Sequence, residues 1–161
     1  MSENIYIKAT EKEKRKAYLC HIYALIGFIF GLIVNILIMV YNLFELAKSD
    51  FVIIFTNFFL VSSFAGIVFL FLCSSVGPFL VWRKYKNISP YITEHSKTAF
   101  NFHCSVSIYF LIAVLLVFIV VGLFLIIALI FFVFSQLEAA MKAARNGDIF
   151  KHKFAINFLY S

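Results

Sequence analysis

Long apolar stretches alternate with short polar stretches along this chain. The apolar stretches run over residues 17–44, 51–82 and 102–137, and each exceeds the ~20 residues that a helix needs to cross a bilayer core of about 30 Å. A soluble fold of 161 residues cannot bury three segments of this length. The pattern therefore predicts an all-α integral membrane protein.

The third apolar stretch is long enough for two crossings. The 45 residues from Asn101 to Arg145 would extend about 67 Å as one helix, which is roughly twice the hydrocarbon core. Gly122 lies near the midpoint, and glycine adopts turn conformations readily. We therefore predict one membrane domain over 1–161. Its four transmembrane helices are expected at about 11–44, 51–82, 102–121 and 123–146.

Positive charge gives the orientation, because Lys and Arg concentrate on the cytoplasmic side of short loops. The N-terminal segment carries five of the 14 basic residues, the loop at 45–50 carries one, and the linker near 83–101 and the tail carry four each. A four-helix topology places 13 of these charges on one side and one on the other. We therefore predict that both termini are cytoplasmic.

Composition supports the same class of protein. Hydrophobic residues make up 63% of the chain and charged residues 14%, whereas soluble domains are about half apolar and a quarter charged. The net charge of +6 is accounted for by topology, so we predict no nucleic-acid partner. The partner expected throughout is the lipid bilayer. The basic N-terminal residues either contact anionic headgroups at the cytoplasmic face or only fix the orientation.

Local signals predict where helices begin and end. The segment Thr10 to Glu13 fits a capping box, so a helix is expected to begin at Glu11. Ser89 and Pro90 are typical of an N-cap and a first helical position. Gly147 is typical of a helix stop. Because apolar and polar residues mix over 89–101, we predict an interfacial amphipathic linker helix between helices 2 and 3.

Small residues inside the first two predicted helices indicate close helix packing. Gly27 and Gly31 form a GxxxG pair, and Ser62 and Gly66 form a second pair of small residues four apart. Such residues let helix backbones approach where apolar burial gives no driving force. We predict packing within the chain, with a dimer interface as the alternative.

Two side-chain amides fall inside these apolar stretches. Asn35 and Asn57 each lie roughly seven residues from the outer loop, so their depths are similar. An amide in lipid is costly unless it is hydrogen-bonded. We predict that both face the bundle interior and form an interhelical polar pair, with a polar path as the alternative.

The sequence predicts no metal site and no cofactor. Cys20-His21, Cys73 and His103-Cys104 are expected near the cytoplasmic face, where thiols and imidazoles could bind zinc or copper(I). The CxxC and HxxxH spacings that would support such a site are missing. Cysteine is also a common small hydrophobe in cores.

Catalysis is not predicted either. Glu94, His95 and Lys97 lie together on the linker, but no nucleophile stands beside a base and the sequence has no glycine-rich phosphate loop. A solvated interfacial face explains these residues better. His152 lies in a basic tail and gives no separate prediction.

Three segments carry a resemblance to a known family. They are Gly77-Pro78-Phe79-Leu80-Val81-Trp82, the linker pattern Ser89-Pro90-x-x-x-Glu94-His95-x-x-x-Ala99-Phe100-Asn101-Phe102, and Ala143-Ala144-Arg145-Asn146-Gly147. They resemble a widespread family of small bacterial integral membrane proteins of unknown function, distantly related to the twenty-kilodalton membrane subunit of the chloroplast inner-envelope protein-import translocon. The resemblance covers roughly 51–154 and implies a four-helix bundle with an interfacial linker. The Tyr-Pro expected after an aromatic residue is replaced here by Lys151-His152-Lys153.

Together these observations predict a non-enzymatic protein of the bacterial cytoplasmic membrane that acts as an accessory or structural subunit. Its partner is expected to be another membrane protein or a second copy of the chain. The linker would dock that partner through Ser89, Pro90, Glu94, His95 and Asn101. The alternative is a channel or translocation component with a polar path formed by an oligomer, which the lack of ionisable residues in mid-span disfavours.

Overall fold

The computed structural model describes residues 9–46, 51–116 and 121–159. They form four helices, α1 (Glu11–Leu46), α2 (Phe51–Tyr85), α3 (Pro90–Leu115) and α4 (Val121–Asn146). Each helix contains a segment long and apolar enough to cross a membrane. The prediction of an all-α, multi-pass membrane protein with four spans is therefore confirmed. After α4 the chain continues as an irregular tail, 147–159.

One carboxylate joins the starts of two helices. The Thr10 backbone N–H donates to Glu13 Oε2 over 2.9 Å, and the Glu13 N–H donates to Thr10 Oγ1 over 3.3 Å, which confirms the capping box. The other carboxylate oxygen of Glu13 accepts a hydrogen bond from Ser89 Oγ. Ser89 in turn caps α3 by accepting from the Ile92 N–H over 3.3 Å. The beginnings of α1 and α3 are thus tied side by side.

The predicted division between a linker over 89–101 and a helix from residue 102 is corrected by the structure. α3 is one continuous helix from Pro90. It has the lowest mean hydropathy of the four candidate spans. In its most apolar segment 56% is buried, whereas the corresponding share in each of the other three spans is 33% or less. Its polar residues reflect a central position in the bundle, because side chains such as His95 and Asn101 face other parts of the chain.

The prediction that Gly122 forms the turn between the last two helices is also wrong. Gly122 is buried within the first turn of α4, so it is not the turn residue. The connection between α3 and α4 falls at 117–120, outside the described residues. At the far end of α4, Gly147 has φ 93° and its N–H donates to Ala143 O over 3.0 Å, which confirms the predicted helix stop.

α1 and α2 approach so closely that their contact admits only glycine. A Cβ on Gly27 would overlap the backbone carbonyl of Cys73, and one on Gly31 would overlap Leu70. Gly66 lies against the Asn35 side chain, whose Nδ2 donates to Gly66 O over 2.8 Å and to Gly31 O over 2.9 Å. These three glycines therefore pack within the chain.

The Asn35 amide is satisfied by backbone carbonyls on both helices. The distance of 2.8 Å to Gly66 O makes it an interhelical hydrogen bond, formed where glycine leaves room for the amide. The side chains of Asn57 and Ser62 lie outside the described residues, so the predicted amide pair stays a prediction. Asn35 does face the neighbouring helix, as its hydrogen bonds require.

The bundle interior is a mixed aliphatic and aromatic core. Its buried members come from all four helices: Phe28, Ile67, Leu70, Phe102, Val106, Phe110, Val133 and Leu137. Large apolar side chains also cover the outside, where Ile26 is 58% exposed and Phe131 is 72% exposed. Because lipid tails solvate such side chains, an apolar exterior around a packed core is the arrangement a bilayer favours.

We expect Gly27→Ala to destabilise the protein by about 1–3 kcal/mol, because the added methyl forces two helix backbones apart. Gly77→Ala is the matched control. Its Cβ would come no nearer than 3.2 Å to a side-chain atom of Tyr23, and alanine favours the helix by about 1 kcal/mol. Thermal unfolding of both variants in detergent tests this. Equal midpoints for the two variants would contradict the packing described here.

Candidate functional site

All four histidines of the chain are buried at the same end of the bundle. His21 comes from α1, His95 and His103 from α3, and His152 from the tail. None is more than 7% exposed. The His21 ring centroid lies 5.3 Å from that of His95 and 5.9 Å from that of His152. We call these four residues the histidine cluster.

Two hydrogen bonds assign the protons on neutral His95 and His21. His95 Nε2 lies 2.9 Å from the carbonyl oxygen of Asp148, which can only accept, so this nitrogen carries the hydrogen. The Nδ1 atom of His95 is then an acceptor, and it lies 3.1 Å from His21 Nε2, which must donate. His21 Nδ1 is consequently left with a bare lone pair.

The cluster contains many polar atoms that the fold does not satisfy. His21 Nδ1 and both ring nitrogens of His103 and of His152 are buried without a hydrogen-bond partner among the described residues. A buried polar group left unpaired costs about 1–3 kcal/mol. A place in the structure where several such atoms lie together is therefore a candidate functional site.

His152 is held neutral by its surroundings. Burial is the main cause that lowers its pKa well below the ordinary value, and the neighbouring His21, His103 and His95 add to the effect. Its ring stacks on Phe102 with centroids 4.2 Å apart. Phe102 also contacts His103, with centroids 5.5 Å apart, and so lies between the two imidazoles.

The tail is held against the bundle by a row of polar side chains on α3. Asn101, Ser105 and Tyr109 are four residues apart and therefore share one face of the helix. Ser105 Oγ accepts from the Ile156 N–H over 2.7 Å, and the Tyr109 hydroxyl donates to Phe154 O over 2.6 Å. These bonds tie the irregular backbone of the tail to α3.

Asn101 makes three hydrogen bonds with the backbone of the tail. Its Oδ1 accepts from the Phe158 N–H over 3.1 Å and from the Leu159 N–H over 3.0 Å, and its Nδ2 donates to Leu159 O over 3.4 Å. From α4, Gln136 Oε1 accepts from the Lys153 N–H over 3.0 Å. The tail is therefore fixed on both sides of His152.

The structure gives most of the predicted docking residues contacts within the chain. Ser89 and Pro90 begin α3, and His95 and Asn101 are buried against the tail. Ser89, His95 and Asn101 are therefore not available at the surface to a partner, whereas Pro90 is exposed. Glu94 is also accessible, with its side chain 32% exposed and paired to Lys97 over 2.9 Å.

A polar cavity of about 370 Å³ opens beside this pair. Glu94 and Lys97 line one side, Asn101 and Asn157 line another, and His152 forms part of the wall. The cavity therefore connects the surface of the protein to the histidine cluster.

The thiols expected near this face are separate from the cluster's hydrogen bonds. Cys20 and Cys104 are buried, Cys73 is partly buried, and all three are free. Over residues 9–46, 51–116 and 121–159, no three histidine, cysteine, aspartate or glutamate side chains already stand as a metal-binding group.

Sequence reasoning missed the role of His152 and of the polar row on α3. The available signal was the spacing of Asn101, Ser105 and Tyr109 within a span of reduced hydropathy. That spacing indicates a polar stripe that must face something other than lipid. Nothing in the sequence indicated that the stripe faces the tail.

Comparison with known proteins gives one family. The family model that matches covers 52–159, which is 108 of the 161 residues. The family is MamF/MmsF, described as the magnetosome magnetite crystal formation protein family. No curated protein and no solved structure matches the chain. The match supports the expected small bacterial membrane family and gives no support to a relationship with the chloroplast translocon subunit.

We expect Asn101→Ala to loosen the tail, because it leaves the Phe158 and Leu159 N–H groups without their acceptor. An unpaired buried donor costs about 1–3 kcal/mol, so these two amides should exchange hydrogen roughly 5- to 100-fold faster. Hydrogen exchange of the detergent-solubilised protein measures this. Asn157→Ala, at an exposed tail position, is the control and should leave the rates unchanged.

Proposed function

The chain belongs to the MamF/MmsF family, and from this membership we propose that it is a non-enzymatic membrane protein that takes part in magnetite formation. The observation that carries the proposal is the match over 52–159, which includes α2, α3, α4 and the tail. The proposed location is the membrane of the magnetosome, which is the compartment that the family description names. Both termini face the cytoplasm in this proposal, as the distribution of basic residues favours.

An accessory role agrees with the way the polar side chains near the cavity are paired. Glu94 is paired with Lys97, and His95 is engaged by His21 and by Asp148 O. No nucleophile stands next to a base among these residues, so they are not arranged for covalent or acid–base catalysis. A protein of this kind acts through what it binds, and we propose that it works in a complex with another membrane protein.

The channel alternative relied on Asn35 and Asn57 to line a polar path. Both hydrogens of the Asn35 amide are donated to the carbonyls of Gly31 and Gly66, and the Asn57 side chain lies outside the described residues. Turning the amide toward a path would break both bonds. The accessory role is therefore the function that we propose.

Expression of this chain in a magnetite-forming bacterium that lacks its own family member tests the role in crystal formation. We expect crystal size, measured by electron microscopy, to shift back toward that of the intact strain. Immunoblotting of the membrane fraction controls for expression. Unchanged crystals in cells that contain the protein in the membrane would refute the proposal.

The Glu94–Lys97 pair is the proposed contact for a partner, because it is a charged part of the predicted linker that is partly exposed and lines the polar cavity. We expect the double variant Glu94→Ala, Lys97→Ala to lose at least tenfold of any membrane protein that co-purifies with the wild type. The matched control replaces another helical ion pair, Glu138 and Lys142, 2.7 Å apart on α4. Equal recovery of the co-purifying protein with both double variants would exclude this contact.

A further inference from the structure

We propose that His21, His95 and His152 form a binding site for one divalent first-row transition-metal ion. The proposal reverses the prediction, made from spacing alone, that the chain has no metal site. It rests on the geometry of the histidine cluster and does not depend on the role in magnetite formation. The three ligands would come from α1, α3 and the tail, with an open fourth position.

The His21–His95 pair already has the separation of two ligands on one metal. Imidazole nitrogens bind zinc-like ions at about 2.0–2.1 Å, so an N···N distance of 3.1 Å corresponds to a ligand angle of about 100°. Two imidazoles on one tetrahedral metal have ring centroids roughly 5 Å apart. The centroid distances from His21 of 5.3 Å to His95 and 5.9 Å to His152 are close to that value.

His95 is prepared as a ligand by the tail. Its Nε2–H donates to the Asp148 carbonyl, which leaves Nδ1 with a lone pair and fixes the ring. Metal-binding histidines commonly donate their other N–H to a backbone carbonyl in this way. The same bond serves a purely structural histidine equally well, so the unpaired ring nitrogens of His152 decide between the two roles.

His152 can complete the site without breaking a hydrogen bond. Neither of its ring nitrogens has a partner among the residues the structure describes, and its main contact is the stack on Phe102. Among the described residues the three rings do not already stand as a metal-binding group, so the proposal includes a rotation of the His152 side chain when the ion binds. The His21 proton that is now donated to His95 would move to His21 Nδ1, so His21 stays neutral and the site gains only the charge of the ion.

The chemistry of the ligands selects the ion. Imidazole suits zinc, iron, nickel and copper, whereas magnesium and calcium prefer oxygen ligands. The cavity whose wall includes His152 and Glu94 gives an entry path from the surface. Ordered water bound to the same nitrogens is the competing occupant, and the experiment must separate the two.

His103 provides a matched control within the same cluster. It is 1% exposed and lies on α3 like His95, but it is eight residues further along, a rise of about 12 Å. His103→Gln should therefore keep metal binding if the site consists of the other three histidines. Cys73→Ala controls for binding by a thiol outside the cluster.

The test is titration of the purified, chelator-treated full chain in detergent with Co²⁺, followed by visible absorption and by competition with Zn²⁺ and Fe²⁺. We expect one ion per chain, with affinity reduced at least tenfold in His21→Gln, His95→Gln and His152→Gln. The two control variants should bind within about threefold of the wild type. Binding should also slow hydrogen exchange in 150–159, because the ion would link the tail to α1.

The following outcomes would overturn the proposal. The first is that folded wild-type protein binds none of the three ions stoichiometrically, which is expected if the nitrogens bind only water. The second is that His103→Gln loses as much metal affinity as the variants of the three proposed ligands. If a variant fails to fold, X-ray absorption of the zinc-loaded wild type counts the imidazole ligands directly. Three imidazoles support the site, whereas fewer than three, or a sulfur ligand, reject it.

Discussion

Inside a bilayer, every polar group of the chain must find its partner within the protein, because no water is present to replace one. Polar partners within the protein also organise the end of the bundle where the tail packs. Asn101, Ser105 and Tyr109 supply acceptors and donors for the irregular backbone after Gly147 and hold it beside α3. The unpaired imidazole nitrogens contrast with these hydrogen-bonded groups.

Glycine residues determine how closely α1 and α2 pack. The contact between α1 and α2 depends on the missing side chains of Gly27 and Gly31, and Gly66 leaves space for the Asn35 amide. Close approach gives van der Waals contact where the hydrophobic effect between helices is absent. With α1 held in this way, His21 is presented toward α3, and so the glycine contact also positions the histidine cluster.

The sequence predicted what local patterns control. Four spans, the capping box at Thr10, the cap at Ser89 and the stop at Gly147 all follow from composition and short-range signals, and the structure has them. The boundary between a linker over 89–101 and a helix from residue 102 was wrong because polar residues in a membrane protein indicate either an interface or a buried polar contact, and only packing distinguishes these. The histidine cluster could not be predicted, since it joins positions 21, 95, 103 and 152 through a tail whose return to the bundle has no periodic signal.

The position of His152 after the fourth helix sets an order on biosynthesis. A chain is made from its N-terminus, and folding during synthesis follows that direction. His21, His95 and His103 therefore enter the bundle before the residue that covers them exists. Until α4 is inserted and the tail returns, their buried faces are open on one side. Closure of the cluster thus marks a chain whose fourth helix and tail are both in place.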